Sequence, residues 1–188
     1  MFTNLKLNML NKKAASSENK PHEIIKNLEI HDGNIIGDIG AGGGYFTFQF
    51  SKKVGKNGRV YAIDTEQKFL TFIDYESKKE MITNIKPVLA DENKLFLPET
   101  VDLFFLRNVF HHLNEPAEYF KNIKQFLKDN GKIAVIDYKK EGSPFVGASS
   151  HYTPEKTIID SMEKAGLYMW KKFDFLPDQS FVVFKKEN

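Results

Sequence analysis

The 188 residues include no cysteine. That absence excludes disulfides, thiolate metal sites and thiol nucleophiles. The five histidines are too scattered to outline a structural zinc site, so no metal is expected. Arginine is nearly missing as well: Arg59 and Arg107 are the only two, and 27 basic groups against 25 acidic ones leave a formal charge of +2. A nucleic-acid binder would show a basic stripe, with arginine the preferred reader of phosphate and guanine. Here lysine pairs such as Lys52-Lys53, Lys78-Lys79, Lys139-Lys140, Lys171-Lys172 and Lys185-Lys186 read as solvated faces, and nucleic acid is not a favoured partner. No stretch approaches the roughly 20 apolar residues of a membrane span. The segment from Met1 to Lys20 has no apolar core of the signal-peptide kind, so a cytoplasmic chain without a membrane partner is expected.

The chain does contain an apolar run that breaks into glycines. Ile35 to Phe46 reads Ile-Ile-Gly-Asp-Ile-Gly-Ala-Gly-Gly-Gly-Tyr-Phe, the pattern of a strand, a tight loop and a helix start. Glycines permit positive φ and close approach of a ligand, and the first helical turn offers N–H groups to polar or anionic atoms. A nucleotide-like cofactor suits such a loop. A dinucleotide fingerprint starting at Gly40 and Gly42 would put its third glycine at position 45, which is Tyr. Asp38 stands two residues before the first glycine, where a carboxylate would disfavour a diphosphate and favour a ligand with a cationic end.

Asp-Ile-Gly-Ala-Gly-Gly-Gly over residues 38–44 resembles the first motif of the class I S-adenosylmethionine-dependent methyltransferases, small-molecule type. Three further pieces fit. Arg59 to Asp64 reads as a second strand whose terminal carboxylate, 24 residues beyond Gly40, can accept both ribose hydroxyls. Ile85 to Glu92 reads as a strand ending in acids, and the resemblance implies that Asp91 accepts the adenine amino group. Val101 to Leu113 is an apolar run suited to a central parallel strand, followed by a polar loop with two histidines. Ligands of open α/β sheets bind outside the carboxyl ends of strands, which puts Arg107 to His112 beside the cofactor and acceptor. The resemblance implies S-adenosylmethionine as cofactor, held by Asp38, Gly40, Ala41, Gly42, Gly44, Tyr45, Asp64, Thr65, Phe69, Asp91, Glu92, Arg107 and Asn108. Tyr45 and Phe69 are candidates to stack near it, with simple packing as the alternative.

Methyl transfer from a sulfonium is an in-line displacement in which alignment and desolvation supply much of the acceleration, so a base is optional. A hydroxyl, thiol or ammonium acceptor must lose a proton, and histidine titrates in the right range to take it. His111 and His112 are the candidates. Adjacent residues face different ways, so one reaches the acceptor at most; the alternative is that one packs or caps the next helix and the other meets only the cofactor. Without cysteine, methylation of pyrimidine C5 and of arsenite is disfavoured, and no Asn/Asp-Pro-Pro-Tyr/Phe signature for amino-methylation of nucleic-acid bases is present.

Strand alternates with helix along the chain. Helices are expected over Pro21 to Leu28, Tyr45 to Val54, Glu66 to Ser77, Pro116 to Leu127 and Thr153 to Ala165. A fifth strand is expected over Lys132 to Asp137 after a turn in which Asn130 tolerates the left-handed conformation. Leu167 to Phe175 and Ser180 to Phe184 read as an antiparallel hairpin. The expected architecture is a single α/β domain with a Rossmann-like seven-stranded sheet, mostly parallel, with a C-terminal antiparallel hairpin and helices on both faces. Residues 23–184 form its core and residues 1–20 a flexible segment or lid. With no insertion large enough for a substrate domain, the acceptor is expected to be a small molecule held by the N-terminal segment, the 107–112 loop and the 139–153 loop, where His151 and Tyr152 lie. Two other readings share the motifs: a non-catalytic S-adenosylmethionine-binding partner subunit, and an NAD-dependent oxidoreductase.

Overall fold

A computed structural model describes residues 2–91, 95–139 and 152–187, apart from the side chains of Phe2, Thr3, Asn4 and Lys6. Its elements run α1 (Phe2–Ala15), α2 (Pro21–Asn27), β1 (Ile35–Ile39), α3 (Tyr45–Val54), β2 (Arg59–Asp64), α4 (Gln67–Lys79), β3 (Ile85–Leu89), β4 (Val101–Arg107), α5 (Pro116–Ile123), β5 (Leu127–Tyr138), α6 (Glu155–Lys164), β6 (Leu167–Phe173) and β7 (Gln179–Lys186). Among the described residues the strands form one seven-stranded sheet in the order β3-β2-β1-β4-β5-β7-β6. The chain divides into two compact units, Met1–Ala90 and Asp91–Asn188.

In the first unit β1, β2 and β3 pair in parallel. Ile36, Val60, Ala62 and Ile63 are buried in the strands, and Phe46, Phe50, Val54, Leu70 and Ile73 cover them from α3 and α4. Phe48, on the same helix, is half-buried. β3 carries Pro87 and lies at one end of the strand order, the position where a proline costs no ladder bond on its outer side. It stops at Leu89, short of the expected acids. The N-terminal stretch expected to be a flexible segment or lid folds as α1, continued by a 3-10 turn at Ser17–Asn19. Leu7 in α1 is fully buried. The apolar residues of this stretch, Leu5, Leu7, Met9 and Leu10, lie on several sides of a helix, so periodicity gave no signal there.

In the second unit β4 and β5 are parallel, and β7 lies antiparallel between β5 and β6. Leu103, Phe104, Phe105 and Leu106 are all buried, as a strand covered on both faces requires. Helix α5 ends at Ile123, four residues before the expected stop; Lys124–Phe126 tighten into a 3-10 turn and the chain enters β5 at Leu127. The expected left-handed turn at Asn130 is absent: the left-handed non-glycine residues are Lys20, Glu29, Met81 and Asn108. Instead β5 takes up residues 127–131 through a shift of register against β4 between Val101 and Leu103. Lys139 donates its backbone N–H to Asp178 and Thr153 donates to Tyr138. Of the 139–153 loop, residues 140–151, with His151, fall outside the described residues.

Candidate cofactor and methyl-transfer site

In the first unit the loop after β1 turns on three left-handed glycines, Gly40 (φ 71°), Gly42 (φ 55°) and Gly44 (φ 84°). Its backbone is tied down locally. Gly40 and Ala41 donate N–H to the Ile63 carbonyl at 2.8 and 3.1 Å, and Gly44 donates to the Ala41 carbonyl. Asp64, at the carboxyl end of β2, accepts from the Gly42 N–H at 2.9 Å and from the Glu66 N–H at 3.0 Å. Each carboxylate oxygen has a second acceptor position, so Asp64 can hold the loop and still receive ribose hydroxyls.

The neighbouring glycines face different surroundings. A Cβ on Gly43 would run into the Asn11 side chain and lie 2.7 Å from the Leu7 carbonyl, and one on Gly44 would lie 2.9 Å from Ile73 Cγ1. A Cβ on Gly42 would meet only the Gly40 carbonyl, at 3.9 Å. Gly42 is therefore required by its φ, with room left beside it, and that opening next to the Asp64 carboxylate fits an adenosine-bearing ligand.

Asp38 does not stand open to solvent. It is 3% exposed and accepts a 2.5 Å hydrogen bond from Thr47 Oγ1 on α3. Burial pushes its pKa from 3.8 to about 7, the Thr47 hydrogen bond pulls it part of the way back, and the Asp64 charge pushes it further up. A buried carboxyl with a second carboxylate nearby favours a cation, the electrostatic preference expected from the sequence. Tyr45 heads α3 half-buried, its ring edge-to-face with Phe46 at 5.2 Å. Thr65 is exposed and Phe69 half-buried, with Lys68 Nζ 5.6 Å from its ring centre.

In the second unit Asp91 is exposed; Glu92 falls outside the described residues. β4 ends in Arg107, and Asn108 follows in the left-handed region at φ 57°, a conformation that costs energy in a non-glycine residue and recurs at functional sites. Its N–H reaches the Ile136 carbonyl at 2.8 Å. The buried Gln179 of β7 accepts from Arg107 Nη2 at 3.0 Å and donates to Asn108 Oδ1 at 2.6 Å. One amide thus sets the orientation of both polar side chains.

The two histidine rings lie against each other, with centroids 4.1 Å apart, so these adjacent residues do not face different ways as expected; burial and hydrogen bonding distinguish them. His112 is exposed, whereas the His111 side chain is 5% exposed and its Nδ1 lies 2.9 and 3.1 Å from the two oxygens of Asp137, itself fully buried. Asp137 also accepts the backbone N–H groups of His111 at 3.0 Å and Tyr138 at 2.8 Å. A carboxylate accepts and does not donate, so Nδ1 carries the ring proton and Nε2 is the basic nitrogen. This is the base-and-orienter arrangement of acid–base sites. Asp137, Gln179, Thr47 and Asn11 are the residues that sequence reasoning missed. Asp137 was legible only as the last carboxylate of a strand; the others carried no signal.

A family profile described as a methyltransferase domain matches residues 30–174. An (S)-coclaurine N-methyltransferase from Thalictrum flavum subsp. glaucum is 30% identical over 107 residues, covering 57% of this chain and 29% of that protein. A ubiquinone/menaquinone biosynthesis C-methyltransferase from Hydrogenovibrio crunogenus is 26% identical over 159 residues, covering 80% of this chain and 62% of that protein. The chain thus spans less than two thirds of these relatives. Among solved structures, a SAM-dependent methyltransferase from Aquifex aeolicus superposes with a TM-score of 0.87 at 26% identity, covering 96% of this chain and 97% of that one. The glycine loop, the strand-end carboxylate, the sheet order and these matches agree: the chain belongs to the class I S-adenosylmethionine-dependent methyltransferase family.

Proposed function

We propose that this protein transfers a methyl group from S-adenosylmethionine to a small-molecule acceptor that loses a proton in the reaction, with His111 as general base. The observation that carries the reading is the His111–Asp137 pair, which presents Nε2 as the basic nitrogen in the segment following β4. Gly40, Ala41, Gly42, Gly44 and Asp64 hold the adenosine part. Asp38, Tyr45, Thr65, Phe69, Asp91, Glu92, Arg107 and Asn108 are the remaining cofactor candidates. When bound, the cofactor supplies a methyl group activated by the sulfonium. His111 Nε2 takes the acceptor's proton, and Asp137 stabilises the resulting imidazolium and keeps the ring in place. The names of the chain's relatives, a coclaurine N-methyltransferase and a ubiquinone/menaquinone biosynthesis C-methyltransferase, support a small acceptor over a large folded one.

Titration calorimetry with S-adenosylmethionine and S-adenosylhomocysteine tests the cofactor, with NADH and Asp64→Ala as controls. Saturable binding that weakens sharply in Asp64→Ala is expected, together with no binding of NADH. Once screening finds an acceptor, His111→Gln is expected to lower kcat by roughly 10²–10⁴-fold, the usual contribution of a general base, while cofactor affinity stays unchanged. An unchanged kcat would remove His111 from the chemistry. Tight cofactor binding with no transfer to any acceptor would favour the non-catalytic partner-subunit reading.

A further inference from the structure

The Gly43–Tyr45 turn is held by a residue that precedes the family-profile match over residues 30–174. Asn11 of α1 donates from Nδ2 to the Gly43 carbonyl at 2.7 Å, and its Oδ1 accepts the Tyr45 N–H at 3.1 Å. One planar amide spans both sides of Gly44, the residue with φ 84° on which the loop enters α3. Gly44 is the N-cap of α3 and has no side chain to cap it. Asn11, 34 positions before Tyr45, supplies that cap. Gly43 is glycine for the same reason, since a Cβ there would occupy the space of the Asn11 amide.

Few of the described side chains of α1 are covered. Leu7 is the only buried side chain among those described in α1, whereas Leu5, Met9 and Leu10 are exposed at 62%, 64% and 40%. Leu7 and Asn11 are one turn apart and share a face. The face of α1 that buries Leu7 is therefore also the face from which Asn11 holds the glycine loop. Asp64 anchors the loop at Gly42 and Asn11 anchors it at Gly43 and Tyr45.

We infer that Asn11 is a positioning residue for the cofactor loop, and that through it the docking of α1 and the binding of S-adenosylmethionine favour one another. The inference rests on the cofactor reading above. The coupling follows from linkage: a ligand that selects the loop in this conformation selects docked α1 to the same degree, and docked α1 raises the ligand's affinity reciprocally.

S-adenosylhomocysteine is the probe, with calorimetry and amide hydrogen exchange on the full chain as readouts. Asn11→Ala removes both hydrogen bonds and is expected to weaken binding about tenfold. Asn11→Asp keeps the acceptor for the Tyr45 N–H but replaces the donor to Gly43 with a carboxylate oxygen that faces the Gly43 carbonyl, so it should not restore wild-type affinity. In the wild type, saturation with S-adenosylhomocysteine should slow exchange across residues 5–15, and in Asn11→Ala that protection should disappear. A residue that merely stabilised the fold would lower Tm without erasing the ligand-induced protection.

Wild-type affinity in a folded Asn11→Ala protein would overturn the inference. If that variant does not fold, the wild-type exchange experiment decides alone, and protection of α1 that does not change with ligand overturns it. Failure of the wild type itself to bind S-adenosylhomocysteine is a different result and would remove the cofactor reading along with this one.

Discussion

Asp38 is the residue at which burial and charge conflict most sharply. Its pKa, raised from 3.8 to about 7 mainly by burial, means that between those values the folded chain binds a proton that the unfolded chain has released. The stability linked to that proton is fully present below about pH 4 and is lost as pH rises to about 7. Asp38→Asn keeps an oxygen to accept from Thr47 and cannot ionise. Relative to the wild type, the variant should gain about 3 kcal/mol between pH 5 and pH 8, at about 1.4 kcal/mol per pKa unit, read by urea unfolding at each pH. A difference that does not change with pH would mean that Asp38 does not titrate in this range. At this scale the sequence pointed to candidates that follow local order: Gly40, Gly42, Asp64 and the pair His111 and His112 stand at or after a strand end. It was silent where a partner lies far along the chain. Asn11 meets Gly43 across 32 positions and Gln179 meets Asn108 across 71, and no local pattern distinguishes these amides from any other.

Among the elements, α3 and β2 match their expected spans to the residue, because strong amphipathic or apolar runs are bounded there by glycine or by a charged strand end. The entry to β5 was misread because Leu-Lys-Asp-Asn-Gly has turn composition and strand geometry at once. Gly131 has no positive φ; what it needs is space. A Cβ there would lie 2.7 and 2.8 Å from Leu127 Cδ1 and Cγ and 2.9 Å from the Lys128 carbonyl. Gly131→Ala should therefore destabilise the protein by about 1–3 kcal/mol through overpacking, seen as a lower denaturation midpoint. A neutral result would mean that Leu127 swings away at no cost. The strand at the other end of the sheet order, β6, protects itself by a different device. It carries Lys171 and Lys172 and a register shift between Met169 and Lys171, and Trp170 lies beneath the ammonium groups of Lys185, Lys171 and Lys132 at 4.0, 5.1 and 5.8 Å. Lysines and irregular pairing are what keep an exposed edge from recruiting another strand.

For the whole molecule, the groups proposed to hold the cofactor are assembled only by folding. Gly42 and Asp64 stand 22 residues apart, and β1 and β2 bring them together through a parallel register that pairs Asp38 with Ala62 and Ile39 with Ile63. An unfolded chain presents no such arrangement, so the ligand should bind the native state alone and raise its stability by mass action. At a free concentration 100 times its Kd, S-adenosylhomocysteine should add about 2.7 kcal/mol. For a chain of this length that corresponds to a rise in Tm of about 5–11 °C, at 2–4 °C per kcal/mol. NADH at the same concentration should leave Tm where it was. A rise that continues with the logarithm of ligand concentration would identify native-state binding, because the free energy grows as RT ln(1 + [L]/Kd). A shift of less than about 2 °C at that occupancy would mean that the measured affinity does not belong to the folded glycine loop, and the assignment of Gly42 and Asp64 would fail with it.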